Sequence, residues 1–363
     1  MRGNFFKCAN WVLIEGQNVG SFESIEVTED RDSLSNTCTL TLPLYAIGRD
    51  NTQPAKGVRA SLKNAQIMVG ARIDVFTWYE EVDVLQQEFE KVLQFSGYIK
   101  EVVEGFPLKL ICEDHSFVLR FGSIGKDWPG RTKLKDMINH IIPIANKAFT
   151  EFRQKKGFKQ PDNFVKLTFD STNSAEVEFQ LSVYNKISPF DALMKLMKLY
   201  TLYANASPEG KLYFGLGVRD KFKRTVKLAT NANVIDRDLI PKNGLFENYK
   251  VVVSAMLKDG TKYTYELGDS EGEAKRVFMP INTKEGIKNF AEALMAHLKG
   301  SRNKGTITTI LYPEIHLFDY INYTDTIFPS LSGNFYCIGR KFKGDTKTGY
   351  TQTITVTDEI FML

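Results

Sequence analysis

Cysteine is scarce in this 363-residue chain and nowhere clustered: Cys8, Cys38, Cys112 and Cys337 lie far apart, with no Cys-x-x-Cys pair. That spacing excludes the usual zinc modules and a disulfide framework, and no metal or other cofactor is expected. Cys38 and Cys112 alternate with apolar neighbours and read as small buried hydrophobes in a reducing compartment. Long apolar runs are missing too. Near the N-terminus only Trp11 to Ile14 is apolar, far short of a signal-peptide core, and nothing later approaches the ~18 residues of a membrane helix. A protein made in the cytoplasm, with no membrane-spanning segment, is the expectation. An excess of one charge is also lacking: 47 Lys and Arg face 43 Asp and Glu, a balance of +4. So thin a surplus does not point to nucleic-acid binding. Two basic runs, Arg153 to Lys159 and Lys221 to Lys227, carry one Phe each and read as solvated faces.

The phosphate-binding motifs are absent. Gly215-Leu216-Gly217 lacks the third glycine and the following helix of a dinucleotide fingerprint, and no Walker-type loop occurs. Gly268-Asp269-Ser270-Glu271-Gly272 has the letters of a nucleophile elbow, but an elbow needs a strand, a sharp turn and then a helix. Here a charged stretch and a short apolar run, Val277 to Met279, follow instead, and a hairpin is expected. Glu113-Asp114-His115 sets two carboxylates beside an imidazole at a strand end, where acid/base chemistry is feasible; a polar cluster facing a loop is the plainer reading. His140, His297 and His316 have no partner at metal spacing and read as structural. No catalytic, cofactor-binding or metal-ligating residue is assigned.

What is present is β pattern. Hydrophobic residues make up 43% and charged residues 25%, the balance of a chain that buries real cores, and the length suits two or three domains. Cys38, Leu40 and Leu42 alternate with Thr37, Thr39 and Thr41, and Ile25 and Val27 alternate with Glu26 and Thr28. Arg72 to Tyr79, Val92 to Val102 and Leu108 to Cys112 are further strands, the last two separated by Gly105-Phe106-Pro107. A small antiparallel barrel or sandwich fits this region up to about Leu119.

The texture changes around Trp128-Pro129-Gly130, after which Leu134, Met137, Ile138, Ile141 and Ile142 take helical spacing. Ser188-Pro189-Phe190-Asp191 predicts a helix start, with Ser as N-cap and Pro at the first position. Phe190, Leu193, Met194, Met197 and Tyr200 form its apolar stripe. A hairpin follows around Ser207-Pro208-Glu209-Gly210. Later, Val251 to Leu257 and Tyr263 to Leu267 flank Asp259-Gly260, a strong hairpin signal. A helix entered at Thr283 carries Ile287, Phe290, Ala291, Leu294 and Leu298 on one face, with Gly300 as its expected stop. Thr306 to Leu311, Phe335 to Phe342 and Thr351 to Val356 close the chain as strands.

Three segments in order, Val69-Gly70-Ala71-Arg72-Ile73-Asp74-Val75, Phe95-Ser96-Gly97-Tyr98-Ile99-Lys100-Glu101-Val102 and Leu108-Lys109-Leu110-Ile111-Cys112-Glu113-Asp114, resemble the first barrel of phage tail hub proteins of the late control protein D family. That family is similar to contractile-phage baseplate hubs and to the hub part of type VI secretion spike proteins. Ile187-Ser188-Pro189-Phe190-Asp191-Ala192-Leu193 and the hairpin to Tyr213-Phe214-Gly215 look like the family's middle domain. Pro313 to Phe342 faintly repeats the order of the first barrel, with strands at His316 to Tyr323 and Gly333 to Phe342. The fold this implies is mainly β with an α/β insertion: a first barrel over 1–122, a mixed α/β middle domain over 123–240 whose last strands could rejoin the first barrel, and a second, related antiparallel barrel over 241–363 with one helix at 283–299.

The resemblance also implies a role. Hubs of this family are trimers, and two similar barrels per chain give six similar units around an axis, which lets a threefold spike meet a sixfold tube. The implied partners are two further copies of the chain, the tail tube protein, a spike carried on a separate polypeptide, other baseplate proteins, and DNA in transit through the channel. The implied place is the tail or baseplate of a virion. Two other readings come from the residues: a tail-associated cell-wall hydrolase, motivated by Glu113 near His115, and a carbohydrate-binding β protein, motivated by Tyr263 and Tyr265 on an exposed strand.

Overall fold

A computed structural model describes residues 6–43, 67–81, 91–105, 107–170, 178–183, 185–200, 202–215, 224–239, 249–257, 259–279, 281, 283–302, 304–311, 314–345 and 348–357. The first seven strands are β1 (Phe6–Ile14), β2 (Gln17–Gly20), β3 (Ser24–Asp30), β4 (Thr37–Leu42), β5 (Arg72–Glu81), β6 (Val92–Val103) and β7 (Leu108–Asp114). They pair antiparallel in the order β3-β4-β7-β6-β5-β1-β2. The alternation in the sequence decides which side faces in: Cys38, Leu40 and Leu42 are buried and Thr37, Thr39 and Thr41 are turned away. With Val12, Ile14, Ile25, Val27, Ile73, Val75, Ile99 and Leu110 they enclose one core. Cys38 and Cys112, 74 positions apart in sequence, are register partners across β4 and β7. Both are free thiols whose ionisation burial suppresses.

The middle of the chain supplies β8 (Trp128–Lys133), α1 (Leu134–Lys155), β9 (Thr168–Asp170), β10 (Glu178–Leu181), α2 (Pro189–Tyr200), β11 (Tyr203–Ala206) and β12 (Lys211–Gly215). The Trp128-Pro129-Gly130 break is therefore the start of a strand, paired antiparallel with β10. The cap of α2 is as the sequence predicts: Ser188 Oγ accepts from the Asp191 N–H at 3.0 Å and donates to Asp191 Oδ2 at 2.7 Å. The stripe Leu134, Met137, Ile138, Ile141 and Ile142 of α1 is wholly buried.

The rest comprises β13 (Thr225–Ala229), β14 (Val234–Asp238), β15 (Tyr249–Met256), β16 (Lys262–Gly268), β17 (Glu273–Phe278), α3 (Lys284–Arg302), β18 (Lys304–Ile310), β19 (Tyr320–Thr324), β20 (Gly333–Asp345) and β21 (Gly349–Thr357). β15, β16 and β17 form their own sheet. Its buried face, Val251, Val253 and Ala255, joins Ile287, Phe290 and Ala291 of α3 in the same core as α1 and α2. Thr283 caps α3 through Gly286 N–H to Thr283 Oγ1 at 3.1 Å. The helix does not stop at Gly300 but runs on to Arg302, and β18 starts two residues later. The second group of strands is β14-β18-β21-β20, with β19 and β13 branching from β20. It surrounds a second core that includes Val226, Ile307, Ile321, Tyr323, Ile354 and Val356. The chain is thus mainly β with an α/β insertion, as expected.

The two groups are one sheet of 13 strands because β20 belongs to both. Its first residues pair with β19, and Gly339 to Asp345 pair with β3. The change of partner follows an irregularity between Cys337 and Gly339, where one extra residue re-aims the strand. Arg340, 2% exposed, lies at this seam. Its Nη1 donates to Glu29 Oε1 of β3 at 3.3 Å, and its Nη2 donates to Gln94 Oε1 of β6.

One basic residue contradicts the reading of its run. Arg153 is fully buried at the end of α1, and its guanidinium grips the first barrel: Nη1 and Nη2 meet Glu15 Oε1 and Oε2 at 2.9 and 2.8 Å. The same group donates to the carbonyls of Gly70 at 2.8 Å and Pro161 at 3.1 Å, and it lies 4.1 Å from the centre of the Phe158 ring. Gly70 takes φ +88°, and a Cβ there would sit 2.7 Å from Phe152 Cε1, which is why glycine opens this strand. Lys155, Lys156 and Lys159 are exposed as expected. Of the second basic run, 221–223 lie outside the described residues.

Candidate functional site

The Glu113-Asp114-His115 cluster closes β7 and starts a 3-10 turn, His115–Arg120. All three are buried, so the loop-facing expectation is replaced by an interior one. Glu113 is held from both sides: Lys100 Nζ lies 2.6 Å from Oε1, and Arg120 donates through Nε to Oε2 at 2.5 Å and through Nη2 to Oε1 at 2.8 Å. Arg120 in turn stacks 3.9 Å from the Phe190 ring of α2. The carboxylate therefore ties the barrel to the helical insertion, and both its oxygens are engaged. Asp114 caps the turn, accepting from Ser116 N–H at 2.9 Å, Ser116 Oγ at 2.5 Å and, just before the neighbouring strand β4, Asn36 N–H at 2.9 Å.

His115 meets a second carboxylate that sequence spacing did not bring to it. Ser96 Oγ of β6 lies 2.5 Å from Asp74 Oδ1 of β5 and 3.0 Å from His115 Nε2. Asp74 is paired with Arg72 at 3.1 Å. In a nucleophilic relay the imidazole stands between the carboxylate and the hydroxyl, so that it can draw the hydroxyl proton. Here the serine stands in the middle. The serine hydroxyl donates to Asp74 at the shorter contact, so the carboxylate and not the imidazole sits closest to its proton. The three groups form a buried link between β5, β6 and the turn after β7.

Burial gives Asp114 and His115 opposite pH dependences. Burial pushes the Asp114 carboxyl up to about 6 against the hydrogen bonds it accepts; burial, with Arg72 nearby, pulls His115 down to about 4. Asp114, raised in the fold, adds stability at low pH that disappears as pH climbs through 6. His115, depressed, adds stability above its unfolded value near 6.5 that disappears as pH falls through 4. Over pH 4–6.5 the two oppose, at roughly 3 kcal/mol each. In urea unfolding, Asp114→Asn should lose stability steeply from pH 6.5 to 4, whereas His115→Gln should gain it over the same interval. Two variants that merely parallel the wild-type pH profile would refute the assignment.

A cleft lies where β6, the β11–β12 turn and the second group of strands meet. Its outer part holds about 950 Å³ and its inner part about 450 Å³, and both are lined by Leu93, Pro208, Arg224 and His316. In its wall Arg224 pairs with Asp319 at 2.8 Å, and His316 Nε2 lies 2.8 Å from Glu314 Oε1. Among the described residues no His, Cys, Asp and Glu group could hold a metal ion, and no helix is long and apolar enough to cross a membrane.

The remaining sequence candidates separate. Asp269 to Gly272 is a tight turn, with Glu271 N–H on Asp269 Oδ1 at 3.0 Å, and a strand follows instead of the helix an elbow needs. That strand is not the return arm of a hairpin: β17 crosses to the far edge of β15 and pairs with it in parallel. His140 is exposed, 5.7 Å edge-on from Trp128. Residues 216 and 217 and the side chain of His297 lie outside the described residues. Tyr263 and Tyr265 are half-buried against the α3 side of their sheet, not displayed on an open strand. That removes the motive for the carbohydrate reading.

Outside the interior, the turn after β19 is built with unusual firmness. The Asp325 side chain accepts from the Ile327 and Phe328 N–H groups at 2.9 and 2.8 Å, from Tyr323 Oη at 2.9 Å, and from Arg237 Nε of β14. These donors hold its carboxyl down at about 2 despite burial.

No protein-family model matches the chain, and no curated protein sequence matches it. Among solved structures it is similar to the tail protein from Neisseria meningitidis MC58, with a TM-score of 0.62 and 15% identity over 98% of this chain and 98% of that one. It is similar also to the 43 kDa tail protein of prophage MuSo2 from Shewanella oneidensis, with a TM-score of 0.57 and 15% identity over 96% and 97%. The chain therefore has the fold of these tail proteins along nearly all its length, which is the fold the sequence resemblance implied.

Proposed function

We propose that the chain is a structural tail or baseplate hub of a phage or phage-tail-like injection device. Three copies form a ring that meets the tail tube on one side and a spike protein on the other, with other baseplate proteins around it and DNA passing through its channel. It works in the virion tail and is not an enzyme. The observation that carries this reading is the pair of strand groups, each around its own core and joined by β20, in a fold shared over whole chains with two tail proteins. Three chains then present six barrel units, matching threefold to sixfold symmetry. The buried Asp74–Ser96–His115 order and the double pairing of Glu113 support a scaffold role over a hydrolytic one.

The test is mass. Native mass spectrometry and negative-stain imaging of the chain, alone and with its tube and spike proteins, should show an annular trimer. A monomer under all these conditions would sink the reading.

A further inference from the structure

Among the large apolar side chains exposed in the described residues are Ile327 and Phe328 in the Asp325 turn and Ile235 on β14, the strand whose Arg237 reaches both Asp325 and the Phe328 ring. The turn is fixed, as the Asp325 bonds show, and Thr326 N–H adds a bond to Thr230 Oγ1 at 3.0 Å. It nevertheless leaves Ile327 65% and Phe328 56% exposed, with Arg237 5.4 Å from the Phe328 ring. An irregularity between Val234 and Asp236 leaves Ile235 outside the ladder register. Exposed Asp236 and Asp238 rim the group. A buried carboxylate with this many donors is a costly way to hold two apolar side chains in water, and it acts as preorganisation for a partner.

A surface of the complementary kind exists elsewhere on the chain. The β15 sheet has one face in the core with α3. On its other face Ser254 is opposite Phe278, Val252 lies between Glu266 and Arg276, and Met256 is opposite Lys262. Phe278 is 63% exposed and Met256 39%, and Lys262 and Arg276 are exposed around them. This is an apolar centre with a basic rim, where the first surface is an apolar knob with an acidic one.

We propose that the Ile327–Phe328 knob and β14 rim of one copy dock on the Phe278–Met256 face of the next copy. The two surfaces differ, so the contact is head-to-tail, the type that closes into a ring when the rotation allows. The proposal rests on the ring reading above and assigns the surfaces that build it.

The experiment uses the full chain under the conditions in which the wild type forms its ring. Ile327→Ser with Phe328→Ser removes only exposed groups and should leave the circular dichroism spectrum unchanged while shifting the mass to monomer. Asp236→Lys with Asp238→Lys, and separately Lys262→Glu with Arg276→Glu, should each weaken assembly at least about tenfold at moderate salt. All four reversals together should restore it. If the wild type forms a ring and every variant does too, these surfaces are wrong and the ring reading stands. If the fourfold variant fails to recover, or if the knob variant keeps its ring and loses the tube protein instead, the pairing is overturned. If the wild type is monomeric throughout, the ring reading falls and this proposal with it.

Discussion

Arg153→Met should destabilise the protein by about 3–5 kcal/mol, the range for removing one partner of a buried ion pair. The loss comes less from the missing attraction than from what stays behind. Glu15, whose side chain is 14% exposed, would keep its charge without its partner, and the carbonyls of Gly70 and Pro161 would lose their donor. Methionine keeps the bulk of the stem, so cavity formation contributes little. Urea unfolding would measure the effect, with Glu15→Gln added as a second change. The double variant should be more stable than Arg153→Met alone, because it removes the stranded charge. A single variant within 1 kcal/mol of wild type would show that the clamp does not hold the helical insertion to the barrel.

Gly97→Ala should cost at least about 3 kcal/mol, at or beyond the upper end of ordinary overpacking. Gly97 lies in β6 directly opposite Asp114 of β7. A Cβ there would stand 2.1 Å from the Glu113 carbonyl oxygen and 2.7 Å from Asp114 Cα. Those are backbone atoms, so no rotamer change relieves the clash, and the two strands would have to part at the point where Asp114 caps the next turn. Gly125→Ala is the control, since its nearest neighbour would be Lys186 Cγ at 3.8 Å. Thermal unfolding should separate the two clearly; equal midpoints would mean that β6 and β7 are free to move apart here.

Gly97 also shows how much of this molecule could be read from its residues. The Phe-Ser-Gly-Tyr-Ile segment carried the likeness to hub barrels, and the glycine in it has a physical cause, the close approach of β7. Strand alternation at Cys38 to Leu42, the Ser188 cap and the Asp259-Gly260 turn were equally legible, because each is a local pattern with a local consequence. Arg153 was misread because a charge run was judged by composition. Its helical position held the answer, since 145, 149 and 153 continue the buried stripe of α1 at spacings of four. The Asp74–Ser96–His115 link and the crossing of β17 to the far side of β15 left no trace in spacing. Both depend on pairings between strands, and the same holds for Arg340 meeting Glu29 across 311 positions. The Ile327–Phe328 knob lies in the loop between the strands expected at His316 to Tyr323 and Gly333 to Phe342, where no periodic pattern marks which side chains are exposed.

The shared strand has a mechanical meaning. β20 spans 13 residues, roughly 43 Å of extended chain, and it leaves one barrel to enter the other with no hinge between. Relative rotation of the barrels would have to break ladder bonds along β3, β19 or β21, whereas two domains joined by a linker would simply swing. Pull applied along this strand loads its bonds to three neighbours in shear, all at once, and the covalent backbone carries the remainder across the seam. A chain built this way resists both twisting and separation of its two strand groups.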